Sequence, residues 1–258
     1  MSQRDSVSII MAVWNQLGYA KLAVDFILKN SPPTPFELVV IDNGSRPEVK
    51  DYFDSMRDKA DISYIRNDKN VGPINAINQG IKASKYDYMA VIHTDVVVLD
   101  PGWLEKIISV MKSDPKIGIV GLAGRQEIYN TGCVNEASLK HSLQDDDLNE
   151  PMKEDMAEVA VIDGLCFVMR RELIDKIKGL DETYGYMHCY DLDVSMQSIA
   201  AGFKNVVVKV RALHLANGGM TRKTREYKKI VKDDYGLLKK NCKIFAQKWR
   251  KMLPVKIS

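Results

Sequence analysis

Asp95, Asp191, Asp193 and His214 are the residues whose types and places could do chemistry. Asp95 closes the apolar run Tyr88-Met89-Ala90-Val91-Ile92-His93-Thr94-Asp95. The run reads as a buried strand, and Asp95 falls where the strand runs out. An unpaired carboxylate is costly to bury, so such a residue is usually paired, hydrogen-bonded or metal-bound. Partners stand in two other segments, Tyr190-Asp191-Leu192-Asp193 and the lone His214 after a second apolar run. Together they point to a site for a divalent cation and an anionic substrate. Plainer readings compete: Asp95 capping the turn before Pro101-Gly102-Trp103, and His214 serving structure alone.

The elements that must position these residues follow from the pattern. In the first half, strands are expected over 7–13, 37–41, 62–65, 88–93 and 117–120. Helices are expected over 17–28, after Pro47, over 72–83 and over 101–111. The stop Asn30-Ser31-Pro32-Pro33 and the start Asp100-Pro101 punctuate them. Such alternation implies an α/β fold, a mostly parallel Rossmann-like sheet with helices on both faces. Ligands bind at the carboxyl ends of the strands in such sheets, and Asp42, Asn67, Asp68 and Asp95 all fall there. The second half is less regular. Residues 122–158 are polar, carry Asp145-Asp146-Asp147, and read as a long, partly mobile insertion with short helices. Strands over 159–162 and 165–169 flank Asp163-Gly164. Helices over 171–177 and 192–201 follow, the latter closed by Gly202, and a strand over 205–210 leads to His214.

Composition sets the outer bounds. The 258 residues make one large domain, or a domain with an appendage. The chain has no apolar run of transmembrane length and no apolar stretch of the signal-peptide kind. Cys133, Cys166, Cys189 and Cys242 lack metal-ligand spacing and read as reduced packing thiols of a cytoplasmic protein. The net charge of +3 hides an asymmetry. Residues 216–258 hold 13 Lys/Arg against 3 Asp/Glu, interleaved with Tyr227, Ile230, Tyr235, Leu238, Phe245 and Trp249. That basic amphipathic pattern suits an anionic membrane surface, reached through residues 222–258. It equally suits a terminal helix packed on the domain with a solvated lysine face. No nucleic-acid motif accompanies the charge, so nucleic acid is not an expected partner.

The order of motifs resembles the family 2 glycosyltransferases of the GT-A-type fold. The opening Val7-Ser8-Ile9-Ile10-Met11-Ala12-Val13-Trp14-Asn15 looks like that family's first strand. Val39-Val40-Ile41-Asp42-Asn43-Gly44-Ser45 resembles its second strand and turn. Asn70-Val71-Gly72, Ala76, Asn78 and Gly80 resemble its asparagine–glycine helix, and His93-Thr94-Asp95 stands in the place of its DxD-type metal motif. Asp163-Gly164 with Arg170-Arg171-Glu172 and Gly179-Leu180-Asp181-Glu182 resembles the acceptor-side block. Asp191-Leu192-Asp193, Ala201-Gly202-Phe203 and His214 resemble the closing block. The likeness covers about residues 7–219, and the shared order carries more weight than any single motif. It implies a domain over 1–219, with a nucleotide-sugar-binding half (1–121) and an acceptor-side half (122–219), followed by the basic helical segment 220–258.

The resemblance also implies roles. The expected activity is metal-dependent, inverting sugar transfer from a nucleotide-sugar donor, a UDP- or dTDP-sugar favoured, to a glycan or lipid-linked acceptor. The basic tail, rather than the resemblance, adds the expectation of a cytoplasmic protein peripheral to the inner face of the cell membrane. Asp95 and His214 would hold Mn²⁺ or Mg²⁺, with the imidazole tilting toward Mn²⁺. Asp42 would receive the nucleotide base. Ala12, Trp14 and Asn15 would floor the base, Asn67, Asn70 and Gly72 would line the same pocket, and Thr94 would join Asp95 on the donor side. Asp191 would take the acceptor hydroxyl's proton, beside Gly164, His188 and Tyr190, while Asp193 would brace its helix. The family usually shows Glu-Asp where this chain has Tyr190-Asp191, and an acidic or amide residue at His93. Two other readings stand beside this one. The first is an NAD-dependent or nucleotidyl-transfer enzyme, against which Trp14-Asn15-Gln16-Leu17-Gly18 holds a single glycine. The second is a nucleotide-sugar-binding module of the same fold that has lost catalysis.

Overall fold

The computed structural model describes residues 5–145, 148–215 and 220–257. Asn217-Gly218-Gly219 and two residues of the aspartate run therefore lie outside the described residues.

The first half alternates as its pattern demands. It runs β1 (Val7–Val13), α1 (Leu17–Asn30), β2 (Phe36–Asp42), α2 (Pro47–Ser55), β3 (Ile62–Arg66), α3 (Pro73–Ala83) and β4 (Tyr88–Ile92). Then come β5 (Val96–Val98), α4 (Trp103–Ser113) and β6 (Ile117–Gly121). Strand β1 pairs in parallel with β2 and β4, and β2 with β3. Every residue of β4 is buried, because helices cover both faces of the sheet.

Residues 122–158 depart from the sequence expectation. They hold β7 (Ala123–Arg125), β8 (Glu127–Ile128), β9 (Leu139–His141) and the start of β10 (Met156–Val159), with a 3₁₀ turn at Glu136–Ser138. Strand β7 pairs with both β9 and β11 (Val161–Ile162), which flank it in a small antiparallel sheet. Strands of two or three residues are too short to display a period, so the pattern missed them.

The chain continues through β12 (Cys166–Arg170), α5 (Arg171–Ile177), α6 (Tyr190–Ala200), β13 (Lys204–Val208) and β14 (Ala212–His214). The large sheet has the order β10-β13-β6-β12-β4-β1-β2-β3. Within its mostly parallel frame, β12 runs antiparallel between β4 and β6, with Cys166 opposite Ile92. That reversal positions the site: β12 begins at the edge where β4 ends, so Asp163-Gly164 lies beside the His93–Asp95 turn.

The last segment folds as α7 (Met220–Lys223), α8 (Arg225–Ile230), α9 (Asp234–Trp249) and β15 (Val255–Lys256). Helix α9 packs on the α/β body: Phe245 is fully buried, and Leu238, Cys242, Ile244 and Trp249 join the core cluster on that face of the sheet. Strand β15 pairs with β8. Lys239, Lys240 and Lys243 remain exposed on the outer face of α9. Of the two sequence readings of this segment, the packed helix is the arrangement observed. None of the described helices is long and apolar enough to cross a membrane.

Candidate active site

Three polar residues meet at the carboxyl end of β4. Asp95 follows β4 in the turn to β5. Strand β14 pairs antiparallel with β5, setting His214 opposite Val96, and the Leu215 N–H donates to the Asp95 carbonyl at 2.9 Å. His214 Nε2 then lies 3.5 Å from Asp95 Oδ1. That is long for a hydrogen bond, and His214 Nε2 is buried with no hydrogen-bond partner. His93 joins them, so one ligand atom from each of His93, Asp95 and His214 falls within 4.8 Å of the others. A buried nitrogen without a partner, facing a carboxylate and a second imidazole, fits a divalent cation. Two imidazoles and a carboxylate suit Mn²⁺ better than Mg²⁺. Burial works to raise the Asp95 carboxyl, but the two imidazoles outweigh it and hold it below the usual carboxylate range. Burial pushes the His93 imidazole down, toward the neutral form that a metal needs.

Two cavities share this wall. The first, about 190 Å³, is lined by Ala12, Trp14, Asn43, Asn70, Thr94 and Asp95, among others. The second is a cleft of about 780 Å³ that takes in Gly164, His188, Tyr190, Asp191 and His214. His93, Met187, Tyr190 and Arg222 line both.

The expected donor residues divide into liners and braces. Ala12, Trp14, Asn70, Thr94 and Asp95 face the first cavity. Asn67, Gly72 and Asn15 support it from behind. Asn43 Nδ2 donates to Asn70 Oδ1 at 2.9 Å and to the Gly72 carbonyl at 3.2 Å. Asn67 Nδ2 donates to Gln79 at 2.9 Å and to Asn43 at 3.2 Å. Gly72 sits at φ 87°, where a Cβ would lie 2.9 Å from the Tyr186 carbonyl oxygen. Asn15 holds the turn after β2 by accepting the Arg46 N–H at 3.0 Å.

Asp42 departs from its expected place. It is fully buried and does not line the cavity. Its Oδ1 accepts the Ser45 N–H at 2.8 Å, and its Oδ2 takes the Tyr64 hydroxyl and the Arg66 guanidinium. Register explains this, since Asp42 and Arg66 are opposite one another on β2 and β3. The neighbouring Asn43 faces the cavity instead.

Asp191 stands in the first turn of α6, at the wall of the cleft. Its Oδ2 accepts the Gly164 N–H at 3.0 Å and its Oδ1 the Leu192 N–H at 3.0 Å. Burial and the nearby Asp163 charge raise its carboxyl above the usual value, against those two hydrogen bonds. A carboxylate with a raised proton affinity makes a better base. Gly164 permits the approach: a Cβ there would lie 2.4 Å from the Tyr190 hydroxyl oxygen. That hydroxyl lies 3.2 Å from His93 Nε2, linking the acidic turn to the metal-ligand group.

Asp193, two residues on, points the other way. It is fully buried and bonded to Tyr184, Gln197, Lys248 and Trp249. It braces α6 against α9. His188, expected on the acceptor side, lines the cleft, but its Nε2 is bonded to Asp234 Oδ1 at 2.8 Å. Asp234 also receives the Tyr227 hydroxyl at 2.5 Å and Arg222 Nε at 2.9 Å.

Sequence reasoning missed Asn43, Tyr186, Thr221, Arg222 and Tyr227, all of which line the first cavity. The signal for the last three was present but was absorbed into the reading of a basic surface segment. His93, a departure from the family pattern in the sequence, brings a ring nitrogen within 4.8 Å of the Asp95 and His214 ligand atoms.

Comparison with known proteins comes to the same fold. The sequence profile described as glycosyl transferase family 2 matches residues 8–178. Hyaluronan synthase of Pasteurella multocida is 26% identical over 145 residues, 55% of this chain and 15% of that protein. Among the curated relatives first matched, the chain spans 15% to 31% of their length. GalNAc-T7, solved with UDP, GalNAc and Mn²⁺, superposes with a TM-score of 0.67 at 16% identity, covering 81% of this chain and 43% of that one. Staphylococcus aureus TarS with UDP-GlcNAc gives 0.64 at 14% identity, covering 96% and 73%. At such identities these structures establish the GT-A architecture alone.

Proposed function

The chain belongs to glycosyl transferase family 2, and on that premise we propose that it is a metal-dependent, inverting transferase of polysaccharide or glycoconjugate synthesis. Its donor is a nucleotide sugar, with a uridine or thymidine diphosphate as the carrier. The observation that carries this reading is the shared wall: the His93, Asp95 and His214 ligand group separates a small cavity from a large cleft that holds Asp191.

The small cavity takes the donor, with Trp14 and Asn43 toward the base and Asp95 toward the diphosphate. Asp95 and His214, with His93, would hold a Mn²⁺ or Mg²⁺ ion, which would supply Lewis-acid stabilisation of the departing diphosphate when bound. Arg222 also lines both spaces, but its guanidinium is already paired with Asp234. Asp191 accepts the proton of the acceptor hydroxyl as that oxygen attacks the anomeric carbon from the cleft side. Attack from the face opposite the leaving group inverts the anomeric centre.

The cleft narrows the acceptor. Val134, Leu139, Leu143, Leu148, Leu192 and Leu238 give it apolar walls. Both arginines of its described lining are already paired, Arg125 with Asp163 and Glu136, Arg222 with Asp234. A neutral glycan or a glycolipid fits this better than an anionic acceptor. The exposed lysines of α9 give the chain a means to sit at the anionic inner face of a cell membrane.

A thermal-shift screen of UDP, dTDP, GDP and CMP, each with and without Mn²⁺, tests the donor site. Ligands that bind only the folded state raise its stability by linkage. A Mn²⁺-dependent rise with UDP or dTDP is expected, followed by turnover of the matching sugar donor. A rise without turnover on any acceptor would favour the inactive binding module. No rise with any nucleotide, from folded protein, would overturn the reading.

A further inference from the structure

We propose that Cys189 and Cys242 are an oxidative modification site, closing to a disulfide that clamps α9 to the turn carrying Asp191. The two sulfurs lie 3.8 Å apart and share a thiol hydrogen bond. They come from separate elements, Cys189 from the turn before α6 and Cys242 from the middle of α9. Both line the 780 Å³ cleft, which gives a small oxidant access to them. Cys166, by contrast, is enclosed in β12, where burial pushes its thiol up to about 12. Cys133 is exposed and free. The hydrogen bond from Cys189 holds the Cys242 thiol below its ordinary value, making it the readier nucleophile of the pair.

The chemistry balances with a peroxide as oxidant. The Cys242 thiolate attacks a peroxide oxygen and breaks the O–O bond, giving a sulfenic acid and, after protonation, one water from hydrogen peroxide. The Cys189 sulfur then attacks the sulfenic sulfur, the S–O bond breaks, and a second water leaves. The two thiols are oxidised by two electrons and the peroxide is reduced by two. Thiol–disulfide exchange with a reduced dithiol reverses the step.

Cys189 takes a left-handed φ of 63°, next to His188 at 74°. Bonding its sulfur to α9 displaces this strained turn, and Tyr190 and Asp191 follow directly. That consequence rests on the function proposed above; the bridge itself does not. A misplacement of about 1 Å at a reacting group costs up to ~100-fold in rate, so transfer should fall at least about tenfold on oxidation.

The test treats the full chain with hydrogen peroxide and reads it by mass, melting and activity. A loss of two hydrogens is expected in the intact mass, with Cys189 and Cys242 peptides linked in a non-reducing digest. The melting temperature should rise and dithiothreitol should restore the starting state. Cys189→Ser and Cys242→Ser should each abolish the link, while Cys133→Ser should keep it. Retention of both thiols, a link to Cys133, or an unchanged melting temperature in the linked form would overturn the proposal. Transfer that is unchanged in the linked protein would overturn its effect on the site. A reduced protein that turns over no donor would count against the proposed function and leave the bridge judged by mass and melting.

Discussion

The indole N–H of Trp249 donates to Asp193 Oδ1 at 2.7 Å, across 56 residues of sequence. This contact ties the last helix to the helix that presents Asp191. Asp193 has no exposure to solvent, and its charge is satisfied by Tyr184, Gln197, Lys248 and Trp249. Trp249→Phe removes one donor from a buried carboxylate and should cost about 1.5–3 kcal/mol in a urea melt. Asp193→Ala leaves the Tyr184 hydroxyl as well as the Trp249 indole N–H without an acceptor, while Lys248 keeps Asp181, and should cost more than Trp249→Phe. Equal, negligible losses from both would show that α9 is not anchored through this residue.

Asp191→Asn should abolish transfer while leaving nucleotide binding close to wild type. Loss of a general base costs about 10²–10⁴-fold. The base must be ionised to work, so kcat/KM falls as the pH drops through its pKa. That acid limb should lie above the ordinary aspartate value of about 3.9, because burial and then Asp163 raise the carboxyl. Asp163→Asn removes the neighbouring anion, so the limb should move to lower pH. An acid limb unmoved by Asp163→Asn would detach the profile from Asp191.

The parallel sheet was legible because β1 to β4 and β6 are each long enough to show an apolar run, whereas the three-residue β5 is not. Asp95 and His214 stand out in the sequence because each follows an apolar run, whereas Asp191 is singled out only by the family resemblance. Asp42 was misplaced because its fate depends on Arg66, a strand away, and cross-strand register is not written locally. Residues 122–158 hid their strands behind their shortness. Arg222 and Tyr227 were visible only as part of a charge imbalance, since nothing local says that a basic segment folds back over a cavity.

The His93, Asp95 and His214 group makes a prediction about the apoprotein. Mn²⁺ alone should raise the melting temperature, with about 2.7 kcal/mol gained at a hundred times its dissociation constant. His214→Ala should weaken Mn²⁺ binding roughly ten- to a hundredfold or more, read directly by titration calorimetry or by the spin resonance of free Mn²⁺. His93→Gln should weaken it less, since that imidazole is also engaged with Tyr190. Mn²⁺ binding equal in wild type and His214→Ala would place the cation elsewhere.

The lysine face of α9 can be tested without removing the helix, which the buried Phe245 and Trp249 contacts forbid. Lys239, Lys240 and Lys243 are exposed, so a triple change to Glu should leave the fold intact. Each basic residue near an anionic surface is worth about 1 kcal/mol. The variant should lose at least about tenfold in sedimentation with phosphatidylglycerol vesicles, and the loss should shrink as salt is raised. Equal binding by both proteins would remove the membrane from this account.

Asp234 is where the segment from 220 closes over the first cavity. It receives Tyr227, His188 and Arg222, and Tyr227 and Arg222 line that cavity. The cavity measures about 190 Å³ and shares His93, Met187, Tyr190 and Arg222 with the larger cleft, so this segment borders both spaces. Burial opposes ionisation of Asp234, yet its three partners hold the carboxyl down to about 2. An aspartate with a depressed folded value stabilises the fold above its unfolded pKa of about 3.9. That contribution is lost as the pH falls through about 2. Asp234→Asn should therefore loosen the segment at neutral pH, raising hydrogen exchange over 220–234 and the donor KM severalfold, with kcat changed little because Asp191 is untouched. Wild-type exchange and wild-type KM in that variant would show that Asp234 does not control the segment, and would assign its closure to the Phe245 and Trp249 contacts of α9.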